Sequence, residues 1–175
     1  MKKLSKIILL FMTLFLIKNL TAQNKKINIG DKIPNFTLKD QNGNDFRVED
    51  YIGKQNMVIY FYPKDNTSIC TKEACKFRDE FEDFTDLNSL VIGISSDSVE
   101  SHKEFEVKNN LPFTLLADID KKVRKLFGVP KSMGFLPGRV TYVVNKEGKV
   151  IYIFNSMTDA DKHVKEAKRV LENNK

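Results

Sequence analysis

The chain contains no tryptophan, two cysteines (Cys70 and Cys75) and two histidines (His102 and His163) in 175 residues. Two Cys and two His at these positions match no zinc spacing, so a metal site is not expected. Each histidine lies in a charged, helix-like stretch and reads as a solvated surface residue. Without tryptophan, the aromatic mass of a core comes from thirteen Phe and five Tyr. No internal repeat, low-complexity tract or long linker splits the chain, and its length suits one domain with a proper core. A clustered excess of Lys and Arg is missing too. The formal charge is +6, but residues 1–22 hold Lys2, Lys3, Lys6 and Lys18 and no acid, and the remainder carries 25 basic against 23 acidic side chains. A nucleic-acid partner is therefore not expected.

A spanning helix needs about 20 apolar residues. The longest apolar run, Ile7 to Ile17, is broken by Thr13 and stops at Lys18. With Lys2, Lys3 and Lys6 before it and Leu20-Thr21-Ala22 after it, this segment reads as a secretory signal cleaved before Gln23. The expected division is a leader over 1–22 and a single domain over 23–175, exported to the periplasm or secreted, with no stable membrane insertion after cleavage. No cysteine near Ala22 supports lipid attachment. Outside the cytoplasm an even cysteine count ordinarily reads as a structural disulfide.

Strand and helix patterns alternate. Asn35 to Lys39 and Asp45 to Val48 read as short strands around the turn Gln41-Asn42-Gly43-Asn44. Met57 to Tyr62 is a nearly unbroken apolar run, expected of a central strand buried on both faces and ended by Pro63. Ala74, Phe77, Phe81 and Phe84 form one helical stripe over Cys70 to Leu87. Leu90 to Ile94 reads as strand, Val99 to Asn109 as helix behind capping serines, Phe113 to Ala117 as strand and Lys121 to Phe127 as a short helix. Arg139 to Val144 and Lys149 to Phe154 read as a hairpin, and Asp159 to Asn173 as a last helix with Ala160, Val164, Ala167 and Leu171 on one side. The order predicts an α/β domain with a mixed central sheet flanked by helices.

The chemistry concentrates at Pro63-Lys64-Asp65-Asn66-Thr67-Ser68-Ile69-Cys70. This segment places a thiol at a strand-to-helix junction, where unpaired N–H groups and the helix dipole favour thiolate over thiol. A second thiol, Cys75, follows five residues on. The layout is that of a cysteine that reacts, is oxidised and is then resolved.

Tyr60-Phe61-Tyr62-Pro63-Lys64-Asp65-Asn66-Thr67, then Cys70-Thr71-Lys72-Glu73-Ala74-Cys75 and Phe77-Arg78-Asp79, closely resemble the peroxiredoxins, above all the bacterioferritin-comigratory or peroxiredoxin Q subfamily. Gly30 to Phe36 is similar to the family's opening segment, and Gly138-Arg139-Val140-Thr141-Tyr142-Val143 to its late strand carrying an arginine. The subfamily's Thr-Pro-Gly-Cys is here Thr67-Ser68-Ile69-Cys70, which puts turnover rate in question more than reaction type. The resemblance implies a thioredoxin-like fold and a cofactor-free thiol peroxidase acting on peroxide substrate with a thioredoxin-like reductant, as a monomer or weak dimer. It implies that Cys70 is the peroxidatic nucleophile and that Cys75 resolves its sulfenic acid as a disulfide. It assigns Thr67 to hydrogen-bonding the sulfur and the peroxide, Pro63 to shielding the site, and Arg139 to supplying a fixed positive charge. Five residues of α-helix separate Cα atoms by roughly 8–9 Å, beyond the about 7 Å a disulfide tolerates, so residues 70–76 must unwind in each cycle. The same geometry counts against a permanent structural disulfide.

Competing readings remain at this level. A thioredoxin-like thiol–disulfide oxidoreductase expects Cys-x-x-Cys, which is not the spacing here. A redox sensor or binding module on the same fold would use the same Cys70, and catalytic turnover separates it from an enzyme. Glu73 reads equally as a brace for Arg139 or as a solvated helix-start carboxylate. Tyr62 reads as a buried strand aromatic, Lys121-Lys122-Arg124-Lys125 as a solvated face, and Gly134-Phe135-Leu136-Pro137 as an apolar loop bordering the site.

Overall fold

The computed structural model describes residues 26–132 and 134–174. The leader expected over 1–22, and the domain boundary after it, lie outside the described residues. Strands β1 (Thr37–Asp40) and β2 (Asp45–Arg47) form a hairpin, followed by a 3-10 turn at Val48–Asp50. Strand β3 (Asn56–Phe61) leads into helices α1 (Ser68–Asp79) and α2 (Phe81–Asp86). Then come β4 (Ser89–Ser95), α3 (Val99–Asn109), β5 (Thr114–Ala117) and α4 (Lys122–Leu126). A two-stranded ribbon, β6 (Lys131–Ser132) with β7 (Leu136–Pro137), precedes β8 (Val140–Val144), β9 (Val150–Asn155) and α5 (Ala160–Glu172). The main sheet has seven strands in the order β2-β1-β5-β4-β3-β8-β9, with β3, β4 and β5 parallel and the outer pairs antiparallel. This is the mixed α/β sheet that the alternating pattern predicts. Among the described residues no helix is long and apolar enough to cross a membrane.

The central position of β3 explains its apolar run. Val58 and Tyr60, with Tyr62 beyond the strand end, join the core cluster under α1, α2, α3 and α5, while Met57, Ile59 and Phe61 join the cluster on the other face. The single helix expected from Cys70 to Leu87 is two. It starts earlier, at Ser68, and resets at Glu80 between α1 and α2. A straight helix would hold Phe77 and Phe84 about 10.5 Å apart along its axis. The break brings their ring centroids to 5.6 Å, and both are fully buried. The ribbon β6–β7 was not anticipated, since two-residue strands leave no periodic signal. Helix α3 begins as the serines suggested, with Ser98 Oγ accepting from Ser101 N–H, and Asp159 caps α5 by accepting from Lys162 N–H.

Candidate active site

Strand β3 delivers the chain to a loop that is tied down from several sides. Tyr62 N–H donates to the Ile94 carbonyl at 3.1 Å, and its hydroxyl donates to Asp65 Oδ1 at 2.7 Å. Asp65 is buried; its Oδ2 accepts from the Ser101 hydroxyl at 2.8 Å and meets His102 Nδ1 at 2.8 Å. Asp65 N–H donates to Asp97 Oδ2, which also accepts from the Ser95 hydroxyl. His102 Nε2 lies 3.1 Å from the Leu116 carbonyl, so that nitrogen carries a proton. Burial pushes the Asp65 carboxyl up, but His102, by hydrogen bond and charge, together with Tyr62 and Ser101, holds it below the ordinary aspartate range. Asn66, at φ 57°, takes the left-handed conformation that turns the chain into α1.

Thr67 is the N-cap residue of α1, in extended conformation at φ −87° and ψ 149°. Its hydroxyl caps no helix N–H and donates instead to the Lys64 carbonyl at 3.0 Å, pinning the loop to itself. Pro63, half-buried, opens that loop. Cys70 is the third residue of α1 and 2% exposed. Its Sγ accepts from Arg139 Nη2 at 3.0 Å. Arg139 enters from the residue before β8 and is itself buried; its Nε donates to the Met157 carbonyl and its Nη1 to Glu73 Oε2.

Glu73 sits one turn beyond Cys70 and is fully buried. Burial drives its carboxyl up to about 7, against the Arg139 charge and hydrogen bond that pull it down. Arg139 is held above its ordinary value: burial works against its charge, but Glu73 and Cys70 outweigh it. Glu73 Oε1 has no hydrogen-bond partner among the described residues and faces His163 Nδ1 at 3.5 Å. His163 Nε2 lies 2.8 Å from the Ser156 carbonyl and therefore bears the ring proton, leaving Nδ1 to accept from the Thr141 hydroxyl at 2.7 Å. Burial, and more weakly the Arg139 charge, push His163 down to about 4 against the Ser156 hydrogen bond. The ring is thus neutral at neutral pH. Cys75 is half-buried on the same helix, its Sγ 3.8 Å from Asn109 Oδ1 on α3, and both cysteines are free thiols.

The structure brings Cys70, Arg139 and Glu73 together, with Thr67 and Pro63 in the adjoining loop and Cys75 farther along α1. Glu73 braces Arg139 and is not a solvated carboxylate. Two expectations are corrected. His102 and His163 are fully buried, not surface residues, and Arg124 is buried rather than part of a solvated face. The burial had a signal. His163 falls three residues after Ala160 and four before Ala167, on the buried stripe of α5; His102 lies three from Phe105 and Arg124 three from Phe127. Their charge or polarity masked that spacing. The loop tip before Arg139 is exposed, with Phe135 at 71%.

The profile of the AhpC/TSA family matches residues 29–153. The chain is 49% identical over 148 residues to "Peroxiredoxin Q, chloroplastic" of Oryza sativa subsp. japonica, covering 84% of this chain and 68% of that protein. It is 49% identical over 147 residues to the protein of the same description from Arabidopsis thaliana, covering 83% and 68%. Among solved structures, peroxidoxin BcpB from Mycobacterium tuberculosis superposes with a TM-score of 0.79 at 32% identity, covering 85% of this chain and 99% of that one. A cysteine-to-serine mutant of PrxQ from Xylella fastidiosa gives 0.79 at 28% identity, covering 86% and 98%. The shared architecture is the thioredoxin-like fold of these peroxiredoxins. The relatives correct the exported, periplasmic or secreted location expected from residues 1–22: they are described as chloroplastic, not as exported proteins. By profile, sequence identity and fold, the chain belongs to the AhpC/TSA family, in its peroxiredoxin Q branch.

Proposed function

We propose that this chain reduces hydrogen peroxide and organic hydroperoxides with Cys70 as nucleophile and Cys75 as resolving thiol, recycled by a thioredoxin-type dithiol donor. The observation that carries the reading is the Arg139 guanidinium, 3.0 Å from the sulfur of a buried cysteine in the first turn of a helix. A fixed cation and the N-terminal end of α1 both favour negative charge there. The Cys70 thiolate attacks one peroxide oxygen; an S–O bond forms, the O–O bond breaks, and the departing alkoxide or hydroxide takes a proton. Arg139 stabilises the charge developing on oxygen. The Thr67 hydroxyl, its proton directed to Lys64, keeps its oxygen as an acceptor for the peroxide O–H. Pro63 limits the entry of water.

The Cys75 sulfur then attacks the Cys70 sulfenic acid; an S–S bond forms, and the S–O bond breaks with release of water. Both cysteines lie within α1, whose geometry keeps their Cα atoms roughly 8–9 Å apart, so the first turns of α1 unwind before the bond closes. The donor's two thiols reduce the disulfide and are themselves oxidised. The unit acts as a monomer or weak dimer. Peroxide consumption with a thioredoxin system tests the reading. Wild type turns over, Cys70→Ser is inactive, and Cys75→Ser stalls after about one turnover with thioredoxin as sole reductant. Failure of wild type to consume peroxide, with no effect of Cys70→Ser, refutes it.

A further inference from the structure

Arg124 is a buried charge with no part in the scheme above. It is 7% exposed, and among the described residues it has no carboxylate in salt-bridge range of its guanidinium. Burial lowers its basicity, and the nearby Asp118 charge offsets this only in part. Its two terminal nitrogens instead hold two backbone carbonyls: Nη1 donates to Gly138 O at 2.8 Å and Nη2 to Tyr62 O at 2.6 Å. Tyr62 O belongs to the peptide before Pro63, and Gly138 O to the peptide before Arg139. One planar guanidinium therefore joins the start of the Cys70 loop to the residue whose side chain contacts the Cys70 sulfur. The fork has further contacts, while its Nε is buried with no hydrogen-bond partner among the described residues. Its carbon lies 5.5 Å from the Phe61 ring centroid, and the Val123 and Arg124 N–H groups both donate to the Asp118 carboxylate, fixing the start of α4. Gly138 has no side chain to obstruct this; a Cβ there would lie 2.0 Å from the Pro130 carbonyl oxygen. Cys70 is among the charges that Arg124 feels.

We propose that Arg124 is a positioning residue for peroxide reduction: its fork sets the spacing between the Pro63–Thr67 loop and Arg139, and its charge adds to the positive potential at Cys70. The proposal rests on the peroxidase reading above. Lysine at 124 keeps the charge and loses the fork; glutamine loses the charge and keeps a donor.

The test uses full-length Arg124→Lys and Arg124→Gln, with folding checked by far-UV circular dichroism and rates normalised to the folded fraction. Two rates are read at pH 7: oxidation of Cys70 by hydrogen peroxide in one turnover, and alkylation of Cys70 by iodoacetamide. Alkylation reports thiolate without requiring the peroxide geometry. In Arg124→Lys, peroxide oxidation falls about tenfold or more while alkylation stays within about twofold, since small misplacements of a reacting centre cost up to about a hundredfold. In Arg124→Gln both rates fall, alkylation by about threefold and oxidation by more, because a charge in a low-dielectric site has been removed. Variants that match folded wild type in both rates, or lose both in equal proportion in Arg124→Lys, overturn the positioning role. Wild type that does not react with peroxide at all overturns the peroxidase reading, and this role with it.

Discussion

Replacing Glu73 with glutamine should change how stability depends on pH, with a sign and size that follow from burial. The Glu73 carboxyl is raised from 4.5 to about 7 in the fold. Between those values the folded chain holds a proton that the unfolded chain has released, so this group's contribution is fully present below 4.5 and is lost as pH rises through 7. At about 1.4 kcal/mol per pH unit the loss is about 3 kcal/mol, with no solvent screening to discount because the side chain is fully buried. His163 works the other way. Lowered from 6.5 to about 4, it contributes stability above 6.5 that disappears as pH falls through 4. In the wild type the two slopes oppose each other between about pH 4.5 and 6.5. Glu73→Gln keeps an acceptor for Arg139 Nη1 and removes the falling slope. Urea denaturation of the reduced protein and the variant at half-unit pH intervals reads the difference directly. The variant should gain about 3 kcal/mol on the wild type between pH 4.5 and 7. A difference that stays flat across this window refutes the claim that burial raises the Glu73 carboxyl.

Other substitutions test the surroundings. Asp65→Asn removes a carboxylate that three side chains engage, and should cost about 3 kcal/mol of stability and speed hydrogen exchange at the residue-65 amide, now donating to Asp97. Equal exchange in the two proteins counts against the loop anchor. Gly138→Ala forces a Cβ to within 2.0 Å of Pro130 O, so the peptide held by Arg124 must shift. We expect a loss of about 2 kcal/mol or more by chemical denaturation together with slower peroxide oxidation, and unchanged values for both contradict the packing described.

Much of the layout was legible because it rests on local rules. The apolar run through β3 announced a strand buried on both faces, and the serines before Val99 announced a helix cap. The motif from Pro63 to Cys75 carried the resemblance on which the proposed chemistry rests. What was not legible depends on contacts across the sheet. No local pattern tells that Arg124 reaches carbonyls 62 and 14 residues away, or that His102 closes on Asp65 37 residues distant. Polar residues at buried helical spacings were read as solvated because periodicity arguments follow apolar side chains, whereas a buried polar group is retained only when tertiary partners satisfy it. The Glu80 break is of the same kind: nothing in Asp79-Glu80-Phe81 forbids helix, and the packing of Phe84 on Phe77 decides it.

The most direct test of the central claim is to trap the product of one equivalent of hydrogen peroxide with dimedone and map it by mass spectrometry in wild type and Cys75→Ser. The account predicts a Cys70–Cys75 disulfide within one wild-type chain, and a dimedone adduct on Cys70 in the variant. An adduct on Cys75 rather than Cys70, or an unmodified Cys70 in both proteins, contradicts it.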